Sequence, residues 1–233
     1  MKNNNCTKAQ QTIVPLIIIG TFIIIAVTIN KSYDRSVSVK GLCEREIMAD
    51  RAIYPISYKE TGNDLPELYK TVRKKNGTII AFLKEMGIDT NEITITAPRI
   101  RDNHATGYNN SSPTRYVITS VVNICTKKVS TILKIESEQY KLLEKGIAIG
   151  SGETWENPVI YEFESLNTIK PEMIEEANKN ARKAGEQFAK DSGSRLGKIK
   201  EANQGVFSIE SRDPNTPYIK KVRVVTNITY YLR

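Results

Sequence analysis

A single histidine and three cysteines are all that 233 residues supply of imidazole and thiol side chains, and there is a single tryptophan. His-dependent nucleophilic chemistry would rest wholly on His104, with Ser111, Ser112 or a distant cysteine as nucleophile. A lone histidine in a polar loop reads instead as surface. No H-x-x-x-H or C-x-x-C spacing occurs, so the pattern of a tetrahedral metal site is missing. The stretch "GIAIGSGETW" has glycines but no Lys-Ser/Thr pair and no helix at once after it, which excludes a phosphate loop. Trp155 at its end reads as a turn anchor or a contact residue. The sequence therefore nominates no catalytic, cofactor-binding or metal-ligating residue, and no cofactor.

Charge of one sign is not concentrated either. The formal charge is +8, to which Lys2 and Lys8 contribute two, and the remaining Lys and Arg are interspersed with acids. A nucleic-acid binder gathers its excess in one stripe. Lys220, Lys221, Arg223, Tyr230 and Tyr231 are the nearest approach to one, and strand alternation divides them between two faces. No nucleic-acid partner is expected.

Long apolar runs are scarce, and the one present stands out. "IVPLIIIGTFIIIAVTI", residues 13–29, is uncharged and as a helix extends roughly 26 Å, enough to span a bilayer core. Lys2 and Lys8 precede it like the n-region of an export signal, but no clean small-x-small cleavage site stands before Asn30. The expectation is an uncleaved signal anchor: a cytoplasmic tail over 1–12, a transmembrane helix over 13–29, a linker over 30–35 and a folded domain over 36–233. Lys31 and Arg35 nearly balance the N-terminal lysines, so the positive-inside rule leans only slightly toward export of the bulk. Cys6 precedes the run. Cys43 and Cys125 fall after it, where a disulfide is permitted, but in separate strands they read as independent buried thiols.

Beyond the leader, hydrophobic periodicity alternates between two and 3.6 residues. "SVSVKGLCE" and "DRAIYPISYKE" read as strands, the second with Ala52, Tyr54, Ile56 and Tyr58 on one face and Pro55 marking an edge or bulge. Asp64, Pro66 and Glu67 announce a helix start, and Leu65, Leu68, Val72, Ile79, Leu83 and Met86 form its stripe before Gly87. "NEITITAPRIRD" and "RYVITSVVNICTKK" read as strands flanking a polar loop, 102–114, the best candidate for a hinge. "VSTILKIESEQYKLLEKG" reads as one helix with Val129, Ile132, Tyr140 and Leu143 inward. "NPVIYEFESL" is a strand, a long helix begins near Pro171, and "GKIKEANQGVFSIES" and "IKKVRVVTNITYYL" close the chain as strands. In that long helix Ile174, Ala177, Ala181, Ala184 and Phe188 make a stripe of mostly small side chains for close packing, with Gly193 as the left-handed cap and Gly197 letting the next strand start tightly. The order β-β-α-β-β-α-β-α-β-β predicts an α+β fold with helices packed on antiparallel-rich sheets.

Three stretches carry a family resemblance: "VSVKGLCEREIMADRA", with Gly41 and the Ala49-Asp50 pair; "FLKEMGIDTNEITI"; and "ARKAGEQFAKDSGSRLGKI". In this order and spacing they resemble the SIMPL-domain proteins of the bacterial YggE-like kind, a domain of unknown function, over about residues 36–232. The resemblance implies an α+β domain, an envelope or periplasmic location, a tendency to form ring-shaped homo-oligomers and a loose link to stress tolerance. It implies no catalytic residues.

The sequence thus points to a membrane-anchored envelope protein that acts as a structural or interaction module with an unknown envelope partner. Two other readings compete. Glu162 and Glu164, roughly 7 Å apart on one strand face, would serve as acid and base of an envelope glycan hydrolase, although the wet side of a half-buried strand looks the same. The Asn-rich loop around His104, residues 103–112, would serve a binding subunit.

Overall fold

A computed structural model describes residues 35–105, 113–150 and 158–233. The predicted anchor, 13–29, lies outside them. Among the described residues no helix is long and apolar enough to cross a membrane. The elements run β1 (Ser36–Met48), β2 (Arg51–Gly62), α1 (Leu65–Glu85), a 3₁₀ turn (Thr90–Glu92), β3 (Ile93–Ile95), β4 (Arg99–Asp102), β5 (Tyr116–Thr126), α2 (Val129–Glu138), α3 (Tyr140–Glu144), β6 (Ile160–Glu162), α4 (Leu166–Asp191), β7 (Leu196–Gln204), β8 (Ser208–Ser211) and β9 (Ile219–Leu232). The α+β class with antiparallel sheets and packed helices is as predicted.

The chain divides into two compact units, and the division falls within β1, α4, the last residue of β7 and β9 instead of at the loop 102–114. The larger unit, Leu42–Ala177 and Gln204–Val225, is built on a sheet of order β3-β5-β2-β6, with β4 also paired to β5. Its spine is the antiparallel pair β2–β5, in register from Ala52↔Thr126 to Gly62↔Tyr116. Alternation sends Ala52, Tyr54, Ile56 and Tyr58 to the face that also carries Ile118, Val122 and Ile124, and all are buried. Leu68, Val72, Ile79 and Leu83 of α1 and Val129, Ile132 and Ile135 of α2 join the same core. β6 pairs only with Arg51–Ile53. Among the described residues none pairs with Pro55 on the β6 side, which suits a residue without a backbone donor.

α1 starts as its residues require: the Asp64 carboxylate accepts the Glu67 amide at 2.9 Å. Its inner stripe includes one residue the periodicity did not flag as apolar, Asn76, 8% exposed. Tyr58 Oη lies 3.0 Å from the Val72 carbonyl and 2.9 Å from the Asn76 amide, which Ser120 Oγ also reaches at 3.1 Å. The Asn76 Oδ1 accepts the Ser120 hydroxyl, and the one phenolic proton of Tyr58 is shared between that oxygen and the Val72 carbonyl.

A second cluster in the larger unit joins Cys43, Met173, Ala177, Val222 and Val224. There β8 pairs with β9 from Ser208↔Arg223 to Ser211↔Lys220. In the smaller unit, whose described parts are 35–41, 178–203 and 226–233, β9 lies between β1 and β7. Its core is Val39, Ala181, Ile228 and Tyr230, with Val37, Ala184 and Leu196 against them. α4 ends at Gly193, φ +65°. A Cβ at Gly197 would stand 2.8 Å from the Tyr231 carbonyl oxygen, so the tight start of β7 needs glycine. Gly205 is tighter still, 2.4 Å from the Val225 carbonyl to which its amide also donates.

Several boundaries differ from the expectation. "NEITITAPRIRD" is two short strands, since the stretch between Ile95 and Arg99 contains Pro98 and leaves the ladder. "VSTILKIESEQYKLLEKG" is two helices meeting at Gln139. The break turns Ile135 and Leu142 inward and leaves Tyr140 and Leu143 half exposed. β6 stops at Glu162, and α4 begins at Leu166 with Pro171 inside it. Burial of Leu166 and Ile169 against Met173 holds this first part helical although Pro171 donates no hydrogen bond. The buried line of α4 is Met173, Ala177, Ala181 and Ala189, an i+4 row that leaves Phe188, one position off it, 62% exposed. "GKIKEANQGVFSIES" is interrupted at Gly205–Phe207 into β7 and β8. The predicted order becomes β-β-α-β-β-β-α-α-β-α-β-β-β.

Candidate functional site

The densest set of polar contacts between distant segments of the larger unit surrounds Asp50 and Arg51, where β1 turns into β2. The Asp50 carboxylate accepts the backbone amides of Glu164 and Ser165, each at 2.8 Å, just ahead of α4. Its own amide donates to the Glu162 carbonyl at 3.0 Å, and the Ala49 amide to the Tyr218 carbonyl at 2.8 Å. Burial pushes the Asp50 carboxyl upward, but hydrogen bonds from the Ser165 side chain and the two amides outweigh it and hold the group below its ordinary value. The Ala49-Asp50 pair thus ties β1 and β2 to β6, the start of α4 and the start of β9.

Arg51 points the other way along the same junction. Its Nη1 pairs with Glu164, its Nε lies 3.7 Å from Glu162 Oε2, and its Nε and Nη2 both donate to Cys125 Sγ at 3.3 Å. These contacts raise its pKa, the Glu164 hydrogen bond most. Glu162 and Glu164 therefore meet at one guanidinium. Glu164 lies beyond the end of β6, so the two-on-one-strand geometry expected of them does not form. Cys125 is exposed and Cys43 buried, both as free thiols. The expectation of independent cysteines holds, and that of two buried ones fails at Cys125, whose position faces away from the core.

Two shallow grooves meet at Glu164. One, of about 330 Å³, is lined by Arg51, Glu92, Cys125, Thr126, Lys127 and Glu164. The other, of about 430 Å³, is lined by Tyr161, Glu162, Phe163, Glu164, Ile209 and Lys220. Arg51, Glu92, Thr126, Tyr161, Glu162, Glu164 and Lys220 among their polar groups are engaged with the protein. Glu92 accepts the Thr126 hydroxyl at 2.7 Å; burial raises its pKa, but this bond and those from the Asp89 amide and Lys128 bring it below the ordinary value. Lys220 donates to Ser211 Oγ at 3.0 Å, and burial lowers its pKa against the pull of Glu162. Tyr161 donates to Glu136 at 2.6 Å, with its phenol pushed well up by burial and by that carboxylate.

His104 sits in an exposed turn where its amide donates to Asp102 Oδ1 at 3.0 Å, and Asp102 is in turn bound by Arg115. Ser111, Ser112 and Trp155 lie outside the described residues, as does most of the Asn-rich loop. Among the described residues no group of three His, Cys, Asp or Glu side chains is arranged to hold a metal ion. Arg51 was not flagged by the sequence, and Cys125 was read only as an independent buried thiol. The partners of Arg51 lie 74 and 113 residues away, and only the β2–β5 and β2–β6 registers bring them together.

Fold and site define a class: an α+β module in which Asp50 and Arg51 hold distant backbone segments together. The particular family follows from comparison. The model of the SIMPL family, described as a protein of unknown function (DUF541), matches residues 37–230, and the chain belongs to that family. A search of curated proteins finds no match.

Proposed function

We propose that this protein is a single-pass component of the bacterial inner membrane, anchored by residues 13–29, with its SIMPL domain in the periplasm. It works there as a homo-oligomeric structural or interaction module bound to an envelope partner, and not as an enzyme. The anchor reading is supported by the uncharged run and the missing cleavage site. Confinement of copies to one plane raises their effective concentration and favours self-association.

The observation that carries the non-enzymatic reading is the Arg51 junction. A pair of carboxylates turned onto one guanidinium, beside open grooves, is an arrangement that fixes strand and helix ends. Separate acid and base groups facing a substrate across a gap would be needed for glycan hydrolysis.

The test is protease access to a C-terminal tag on the full chain in intact cells whose outer barrier has been opened. Loss of the tag, with the N-terminus retained in the membrane, is expected. A protected tag would overturn the topology, and a monomeric mass for the detergent-extracted chain would overturn the oligomer.

A further inference from the structure

The smaller unit carries a basic end at the point where the chain leaves toward the leader. The Leu232 amide donates to the Arg35 carbonyl at 2.7 Å, and Arg195 and Arg233 exchange a reciprocal pair of backbone bonds of 2.7 and 2.9 Å. These bonds use only main chain, and all three arginines are exposed. Beside them a shallow groove of about 290 Å³ is lined by Arg182, Lys198, Tyr230 and Arg233. The acids at this end are Glu186, held by Arg182 at 2.9 Å, and Asp191, which accepts the Gln187 amide group at 2.8 Å. Phe188, in the last turn of α4, is 62% exposed.

Chain length, charge and chemistry agree on what this end meets. Residues 30–35 are all that separate the proposed anchor from β1, and about six residues reach at most roughly 20 Å. Arg35 and the arginines paired around it are thus held close to the bilayer once the anchor is inserted. Clustered arginines at that distance are attracted to anionic headgroups. The exposed Phe188 ring, in the last turn of the helix that leads to Arg195, supplies an apolar group able to enter the headgroup–acyl boundary.

We infer that the end of the smaller unit formed by Arg35, Arg195 and Arg233, with Lys198 and Phe188 beside them, rests on the anionic phospholipid headgroups of the membrane that holds the anchor. This rests on the proposed anchor, so the experiment reads the two separately. The full chain is reconstituted into nanodiscs of neutral phosphatidylcholine or of the same lipid with about 30% phosphatidylglycerol, and amide hydrogen exchange is followed over 186–199. Co-elution with both discs reads the anchor; slower exchange in the anionic discs reads the headgroup contact. About threefold or greater slowing is expected, abolished in R35Q/R195Q/R233Q and in 1 M salt, where the Debye length falls to about 3 Å. Unchanged exchange over β2 and β5 certifies the fold, and the salt arm makes the same test without substitution. Equal exchange in the two discs, or slowing that survives 1 M salt, overturns the headgroup contact while leaving the anchor. A chain that enters neither disc overturns both.

Discussion

Replacing Asp50 tests the central structural claim. Its carboxylate accepts two amides at 2.8 Å at the entrance to α4. Charge-assisted bonds of this kind contribute about 1.5–3 kcal/mol each when water is excluded, whereas loss of an ordinary helix cap costs about 0.5–2 kcal/mol. The residue is only half buried, so water can replace part of the loss, and Asp50→Ala is expected to cost about 2 kcal/mol. For a domain of this size that lowers the thermal midpoint by about 4–8 °C. Asp50→Asn keeps one acceptor oxygen but turns an NH₂ toward an amide donor, and recovers little of the loss. The assay is thermal and urea unfolding of the full chain in detergent, followed by near-UV circular dichroism. Since the folded carboxyl titrates below its ordinary value of 3.8, the wild type's advantage over D50A is complete above that value. It disappears as pH falls through the lower folded value. A D50A protein within about 0.5 kcal/mol of wild type at neutral pH, or a difference that persists in strong acid, would refute the reasoning.

Three other outcomes follow from the same structure. The Thr226 hydroxyl is buried with no hydrogen-bond partner among the described residues, so Thr226→Val should stabilise the protein by about 1 kcal/mol in urea unfolding; destabilisation would mean that the hydroxyl has a partner. Gly77 and Gly205 should respond in opposite directions. A Cβ at Gly77 meets nothing within 4 Å, so Gly77→Ala gains about 1 kcal/mol of helix propensity, whereas Gly205→Ala drives a methyl into the Val225 carbonyl and should lower the midpoint. Finally, Glu162→Gln with Glu164→Gln should leave no measurable difference in turnover on isolated cell-wall material, where the parent is expected to show none. Hydrolysis by the parent that the double variant lacks would reinstate the enzyme reading.

Much of the fold was legible because it rests on local rules. The β2 alternation, the Asp64 cap and the inner stripe of α1 lie where spacing put them, whereas the α4 row keeps Ala177 and Ala181 but takes Met173 in place of Ile174 and turns Phe188 outward. The errors cluster where two local rules compete. Tyr140 and Leu143 fit a continuous helix, but the turn at Gln139 rotates the following residues and Leu142 takes the core position. Pro171 looked like a helix start, yet apolar burial on both sides of it extended α4 backward. The paired glutamates were visible as residue types and misplaced as geometry.

By itself the sequence determined the α+β class, the faces of the principal strands and helices, the family motifs and the poverty of catalytic side chains, because periodicity and composition act over a few residues at a time. Only the tertiary structure decided that Asp50 reaches across to the entrance of α4, that Arg51 gathers Glu162, Glu164 and Cys125, and that Arg35, Arg195 and Arg233 share one end. Those meetings depend on strand register and on chain reversals separated by scores of residues. A pattern read along the chain carries no record of which distant segment will arrive beside it.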